Sequence, residues 1–231
     1  MTTVDNLSLD QTLPAQTKLY YDLKLPEQKP APLLLALHGY GANKKQMMRE
    51  AQQMAPADFV IASLQGFHQH MREPKEVGGP LRFGFGWLTN FRPEESVAMH
   101  HRALLDLIAL LTNEGHVDRN RIFLLGFSQS CALNYRFAFT HADLLRGVVG
   151  ICGGMPGDWT TSESYKPTKT AVFHLAGSRD QFYPPERVAD YESQLRLRSQ
   201  SVVFKSYDAT HDFVPEMRVD VKDWLVRQAY E

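Results

Sequence analysis

The chain has 231 residues and a formal charge of -1, with 43% apolar and 22% charged residues, ordinary values for a soluble globular protein. That charge gives no electrostatic basis for binding nucleic acid or an anionic membrane, and no run of ~20 apolar residues is present to span a bilayer. Only Cys131 and Cys152 occur, and the N-terminus MTTVDNLSLDQTL lacks the basic start and apolar core of a signal peptide. Both features predict a reducing, cytoplasmic setting, with the two cysteines as small buried hydrophobes.

Residues 1–16 are polar and aperiodic and are expected to form a loose arm. Residues 17–25 alternate enough for an edge strand, and Pro26 to Pro32 reads as a turn. Leu33 to Leu37 is an unbroken apolar run, the pattern of a strand covered on both faces. It ends in His38-Gly39-Tyr40-Gly41-Ala42-Asn43. Asn43 is placed to cap a helix over 44–55, with Met47, Met48, Ala51 and Met54 at helical spacing. Phe59 to Leu64 is a third strand. Residues 65–92 hold Gly66, Gly78, Gly79, Gly84 and Gly86 together with Phe67, Phe83, Phe85, Trp87 and Phe91. A connection this long is functional or disordered, and its aromatics argue against disorder. It is expected to be a folded loop covering one end of the sheet.

Pro93-Glu94-Glu95 opens a helix, with proline and acids in its first turn. Val97, Leu104, Leu105, Ile108 and Leu111 form its stripe, and Gly115 ends it. Ile122 to Leu125 is a short buried-strand run, followed by Gly126-Phe127-Ser128-Gln129-Ser130 and the helix-compatible CALNYRFAF. Val148 to Cys152 is the next strand, closed by Gly153-Gly154, and 155–169 are irregular. Ala171 to Ala176 leads into Gly177-Ser178-Arg179-Asp180. Pro185 starts a helix with Val188, Tyr191 and Leu195 on one face. Val202 to Tyr207 is the last strand, then comes the loop Thr210-His211-Asp212. Met217, Val221, Trp224, Leu225 and Gln228 mark a final amphipathic helix. Strands alternate with helices after residue 32. This order predicts one α/β domain over 1–231, with a mostly parallel central sheet and helices on both faces.

A buried strand turning abruptly into a helix, with Ser at the corner, is the setting of a nucleophile elbow. The residues two before and two after that Ser must be small. Gly126 meets the demand fully and Ser130 approximately. The carboxyl ends of parallel strands share one edge, where sites form. The turn at 38–41, Ser128, Asp180 and His211 all fall there, and Ser, Asp, His is the chain order of an α/β-hydrolase triad. His211 is the candidate base for the Ser128 proton, and Asp180 the candidate partner of its imidazole. The N–H groups of Gln129 and Tyr40 are the candidate oxyanion donors. Alone, a Ser in a G-x-S-x-S pattern is as a rule a turn residue; its place between strand and helix raises it. Asp158, Asp208 and Asp212 rival Asp180, which is preferred because it follows the clearest late strand by a short glycine loop. His211 alone among nine histidines sits after the last strand with a helix behind it. Phe85, Trp87 and Phe182 are candidate substrate-pocket residues, packing within the loop being the alternative for the first two. His68-Gln69-His70 lacks a third ligand at metal spacing, so solvated loop histidines are expected and no metal. His100 and His101, one apart, do not share a helix face.

LALHGYGAN at 35–43, RIFLLGFSQS at 121–130, LAGSRDQFYP at 175–184 and His211 with its trailing helix resemble the phospholipase/carboxylesterase family of α/β-hydrolases, which includes the acyl-protein thioesterases. The resemblance spans roughly residues 30–230. It implies serine-dependent hydrolysis of carboxylic esters or thioesters, with no metal and no cofactor. It carries over Ser128, Asp180 and His211 as the triad, and Tyr40 and Gln129 as oxyanion donors. Ser130 stands where the family usually has Gly. Segment 65–91 is unlike the eukaryotic thioesterases and points to a bacterial-looking branch. The expected activity is that of a carboxylesterase on small or medium acyl chains. A thioesterase or lysophospholipase is the alternative enzyme. A non-catalytic ligand-binding relative is the alternative from another class, and the intact Ser, Asp and His disfavour it. The expected partner is a small-molecule ester or thioester, with no nucleic acid and no stable membrane insertion; a homodimer is left open.

Overall fold

A computed structural model of the chain describes residues 11–74, 76 and 78–231. Residues 1–10 of the expected arm lie outside the described residues, while 11–20 are exposed and carry no regular element. One seven-stranded sheet is built from β1 (Tyr21–Lys24), β2 (Ala31–Leu37), β3 (Val60–Leu64), β6 (Val117–Phe127), β7 (Gly147–Ile151), β8 (Ala171–Gly177) and β9 (Val202–Tyr207). Their spatial order is β1-β3-β2-β6-β7-β8-β9. The edge strand β1 runs antiparallel to β3, and every other pairing is parallel. The expected turn at 26–32 ends early, because β2 begins at Ala31. Its register with β6 shifts between Ala31 and Leu33, across Pro32, which has no N–H to give a ladder.

Successive strand side chains point to opposite faces, and here both faces are covered. Leu33, Leu35 and Leu37 pack with α2 (Pro93–Asn113) and α3 (Gln129–Thr140). Leu34 and Ala36 pack with α1 (Lys44–Met54) and α6 (Pro215–Tyr230). Asn43 caps α1 as expected, its side chain accepting from the Gln46 N–H. On α2 the buried face is Ser96, His100, Ala103, Leu104, Leu107, Ile108 and Leu111. Val97 and Leu105 are only partly covered, because His100 has buried partners that draw the face toward it. The single helix expected from Pro185 is two short ones, α4 (Pro185–Val188) and α5 (Tyr191–Arg196), with Val188, Tyr191 and Leu195 all buried.

Segment 65–92 corrects the expectation of a loop. It contains an antiparallel hairpin, β4 (His68–Arg72) with β5 (Arg82–Gly86), joined to the turn after β2 by a bridge between Phe85 and Ala42. Among the described residues no helix is long and apolar enough to cross a membrane.

Candidate active site

Ser128 lies between β6 and α3 with φ 55° and ψ -115°, a left-handed backbone that a non-glycine residue holds only where its surroundings force it. The crowding is measurable. A Cβ on Gly126 would sit 2.6 Å from Asn134 Nδ2, and one on Gly153 would sit 2.3 Å from Cys131 Sγ and 2.5 Å from the Ser128 carbonyl. Ser130 is accommodated because its hydroxyl is used. It accepts from the Phe127 N–H at 2.9 Å and donates to the Leu37 carbonyl at 2.9 Å, tying the ends of β6 and β2 to the start of α3. Cys131 and Cys152 are buried free thiols, and burial pushes both thiols well above their ordinary range, so neither is poised as a nucleophile.

Three strand-end side chains meet in one line. His211 Nε2 is 2.9 Å from Ser128 Oγ, and His211 Nδ1 is 2.8 Å from Asp180 Oδ2. The other carboxylate oxygen of Asp180 accepts from the N–H groups of Phe182 and Tyr183 at 2.8 and 3.0 Å. Burial alone would raise the Asp180 carboxyl. The hydrogen bonds from His211, Tyr183 and Phe182 outweigh it and hold the group below the ordinary carboxylate value. The imidazole of His211 is boxed by Phe127, Phe182 and Tyr183, with ring centroids 4.9, 4.8 and 5.9 Å away. Of the rival acids, Asp158 pairs with Arg136 and Asp208 with Arg179, while Asp212 accepts from the Phe213 N–H.

The peptide group that carries the Tyr40 N–H is fixed at its other end. Its Gly39 carbonyl accepts from His38 Nδ1 at 2.8 Å and from the Ala42 N–H at 3.2 Å. His38 Nε2 accepts from the Gly66 N–H at 3.0 Å, which leaves the proton on Nδ1. Burial lowers the His38 pKa to about 4, so the ring is neutral at pH 7. The Tyr40 and Gln129 N–H groups make no hydrogen bond among the described residues.

A cleft of about 580 Å³ opens beside Ser128 and His211. Phe182 lines it as expected, with Leu88, Leu133, Met155 and Tyr183. Phe85 and Trp87 do not. Phe85 belongs to β5, and Trp87 is fully buried, its Nε1 donating to the His38 carbonyl at 2.7 Å. Sequence reasoning missed Leu133; its signal was helical spacing from Gln129, since Gln129, Ala132, Leu133 and Arg136 share one face of α3 and all face the cleft. The histidines of the hairpin are packed rather than solvated. His68 bonds Ser96, and His70 stacks on Tyr40. Among the described residues no group of three or more His, Cys, Asp or Glu is arranged to hold a metal.

The family model described as Phospholipase/Carboxylesterase matches residues 21–228. NocK of Nocardia uniformis subsp. tsuyamanensis is 29% identical over 165 residues, which cover 69% of this chain and 42% of that protein. Acyl-protein thioesterase 1 of Gibberella zeae is 26% identical over 205 residues, covering 83% of this chain and 85% of that protein. Among solved structures, the Bacillus cereus carboxylesterase superposes with a TM-score of 0.71 at 19% identity, covering 91% of this chain and 94% of that one. At that identity the likeness speaks for the fold.

Proposed function

The chain belongs to the phospholipase/carboxylesterase family of ester-hydrolysing enzymes, and from that membership we propose that it cleaves carboxylic esters through an acyl-enzyme on Ser128. The observation that carries the reading is the unbroken line from Ser128 through His211 to Asp180, at 2.9 and 2.8 Å. His211 takes the Ser128 proton as Oγ bonds the ester carbonyl carbon. Asp180 holds the imidazole tautomer and stabilises its cation. The N–H groups of Tyr40 and Gln129 receive the negative oxygen of the tetrahedral intermediate. His211 then protonates the departing alcohol, and water, activated by the same base, releases the acid.

The apolar wall of Leu88, Leu133, Met155 and Phe182, in a cleft of about 580 Å³, supports an acyl chain of small or medium length. The match to acyl-protein thioesterase 1 over most of both chains favours a second reading, thioester hydrolysis by the same residues. p-Nitrophenyl esters from acetyl to dodecanoyl, assayed beside matched acyl thioesters, separate the two. The ester reading expects higher kcat/KM on oxygen esters, peaking below the longest chain, and loss of turnover in Ser128→Ala. Turnover that survives Ser128→Ala would overturn the acyl-enzyme on that residue.

A further inference from the structure

The glycine-rich hairpin β4–β5, with Trp87 and Leu88 that follow it directly, takes no part in the acid–base chemistry, yet it holds the residues of both proposed oxyanion donors. On the turn side, the Gly41 N–H donates to the Phe85 carbonyl at 2.8 Å, and the Phe85 N–H donates to the Ala42 carbonyl at 3.2 Å. Arg72 Nη1 donates to the Gly41 carbonyl at 2.9 Å. His70 stacks on the Tyr40 ring, centroids 4.4 Å apart and planes 6° from parallel. On the elbow side, the Gln129 side chain accepts from the Trp87 N–H at 2.9 Å and donates to the Leu88 carbonyl at 3.3 Å. The glycines allow this approach. A Cβ on Gly84 would lie 2.8 Å from Gly41 Cα, and one on Gly86 would lie 3.1 Å from the Tyr40 ring and 3.3 Å from Gln129 Oε1.

We propose that the β4–β5 hairpin is a clamp that sets the separation of the Tyr40 and Gln129 N–H groups, with Arg72 as its positioning residue. The proposal rests on Ser128 being the nucleophile. The two donors belong to different elements, the turn after β2 and the start of α3. Both must reach the same oxygen at about 2.7–3.1 Å, and a misplacement of about 1 Å costs on the order of 10²-fold. Apart from the hairpin, the turn is held by the His38 bond to Gly39, by its own Ala42 closure and by Trp87 Nε1 on the His38 carbonyl, none of which engages the Gly41 carbonyl. Arg72 reaches across from β4 to the Gly41 carbonyl, two peptides past the one that carries the Tyr40 N–H, and its guanidinium presents donors in a fixed fork. When Ser128 Oγ bonds the carbonyl carbon, its proton passes to His211 Nε2 and the carbonyl π pair moves onto oxygen. That charged oxygen is what the clamp serves; the neutral bound ester needs it less. Loss of the clamp therefore falls on kcat rather than KM.

The test uses Arg72→Met, which keeps the aliphatic stem and removes the donors, with Arg72→Lys and Gly84→Ala beside it. Arg72 is exposed, so its replacement leaves the core intact. kcat, KM and melting temperature are measured, with the Ki of an alkyl trifluoromethyl ketone, which adds the serine oxygen and carries the same negative oxygen. Arg72→Met is expected to lower kcat roughly tenfold or more and to keep KM within about threefold. Ki should rise by the same factor as kcat/KM falls. Gly84→Ala, which wedges the hairpin off the turn, should do the same, and Arg72→Lys should recover part of the loss. A folded Arg72→Met with kcat and Ki within about twofold of wild type would overturn the proposal, as would a loss confined to KM. Failure of the underlying reading shows elsewhere, as wild-type turnover that does not depend on Ser128, and it would end both.

Discussion

The two oxygens of Asp180 have separate partners, His211 on one and the Phe182 and Tyr183 N–H groups on the other. Asp180→Asn keeps an acceptor for the backbone pair but removes the anion and offers His211 an N–H in its place. The imidazole then holds the wrong tautomer, and kcat is expected to fall on the order of 10³–10⁴-fold with the fold intact. Steady-state kinetics beside a thermal melt check this; a rate within a few-fold of wild type would move the acid elsewhere. Ser130 answers a different question, how a hydroxyl fits where the backbone is crowded. Its bonds to Phe127 and Leu37 are buried, so Ser130→Ala should lower the unfolding free energy by about 1–2 kcal/mol, seen as an earlier urea midpoint with an unchanged slope. The convergence of Ser128, Asp180 and His211 was legible in the sequence because each stands just past a strand end. Met155 in the cleft wall was not, since it lies in an irregular segment and is an ordinary apolar residue until the fold decides what it faces.

At the scale of elements, the β4–β5 hairpin shows where pattern reading fails. Alternation is normally read with apolar side chains inward. In β5 the inward positions are Gly84 and Gly86, while Phe83 is 54% exposed. The backbone itself is the packing surface, so hydrophobic periodicity points the wrong way. Trp87, just past this strand, was legible as an important aromatic but not as a core one. It is wedged among His38, Phe67 and His100 with no face on the cleft. Trp87→Ala should therefore lower stability by about 3–5 kcal/mol. Leu133→Phe, which narrows the cleft, should instead shift preference toward shorter acyl chains, at a stability cost of about 1–3 kcal/mol because Leu133 is itself buried. Denaturant unfolding and an ester panel run on both variants distinguish these outcomes. A selectivity change from Trp87→Ala alone would contradict this placement.

The sheet as a whole was readable from β2 onward because parallel strands buried on both faces leave unbroken apolar runs, and α/β alternation fixes where the helices lie. The same burial encloses histidines whose charge the interior disfavours. Burial is the leading cause that lowers the pKa of His38, His101 and His174 to about 4 and of His100 to about 3, against 6.5 for the free side chain. Between about pH 4 and 6.5 the unfolded chain binds more of these protons than the folded one, so stability rises with pH across that window and is lost as pH falls through it. The urea midpoint should drop steadily from pH 7 to pH 4.5, and His174→Gln should flatten part of the slope; a flat wild-type profile would contradict this. The central claim is that an activated serine stands at the corner between β6 and α3. Its most direct test is intact-protein mass after exposure to a fluorophosphonate, followed by peptide mapping. The account predicts a single adduct on Ser128 in the wild type and none in Ser128→Ala; an unlabelled wild type, or equal labelling of the two proteins, would contradict it.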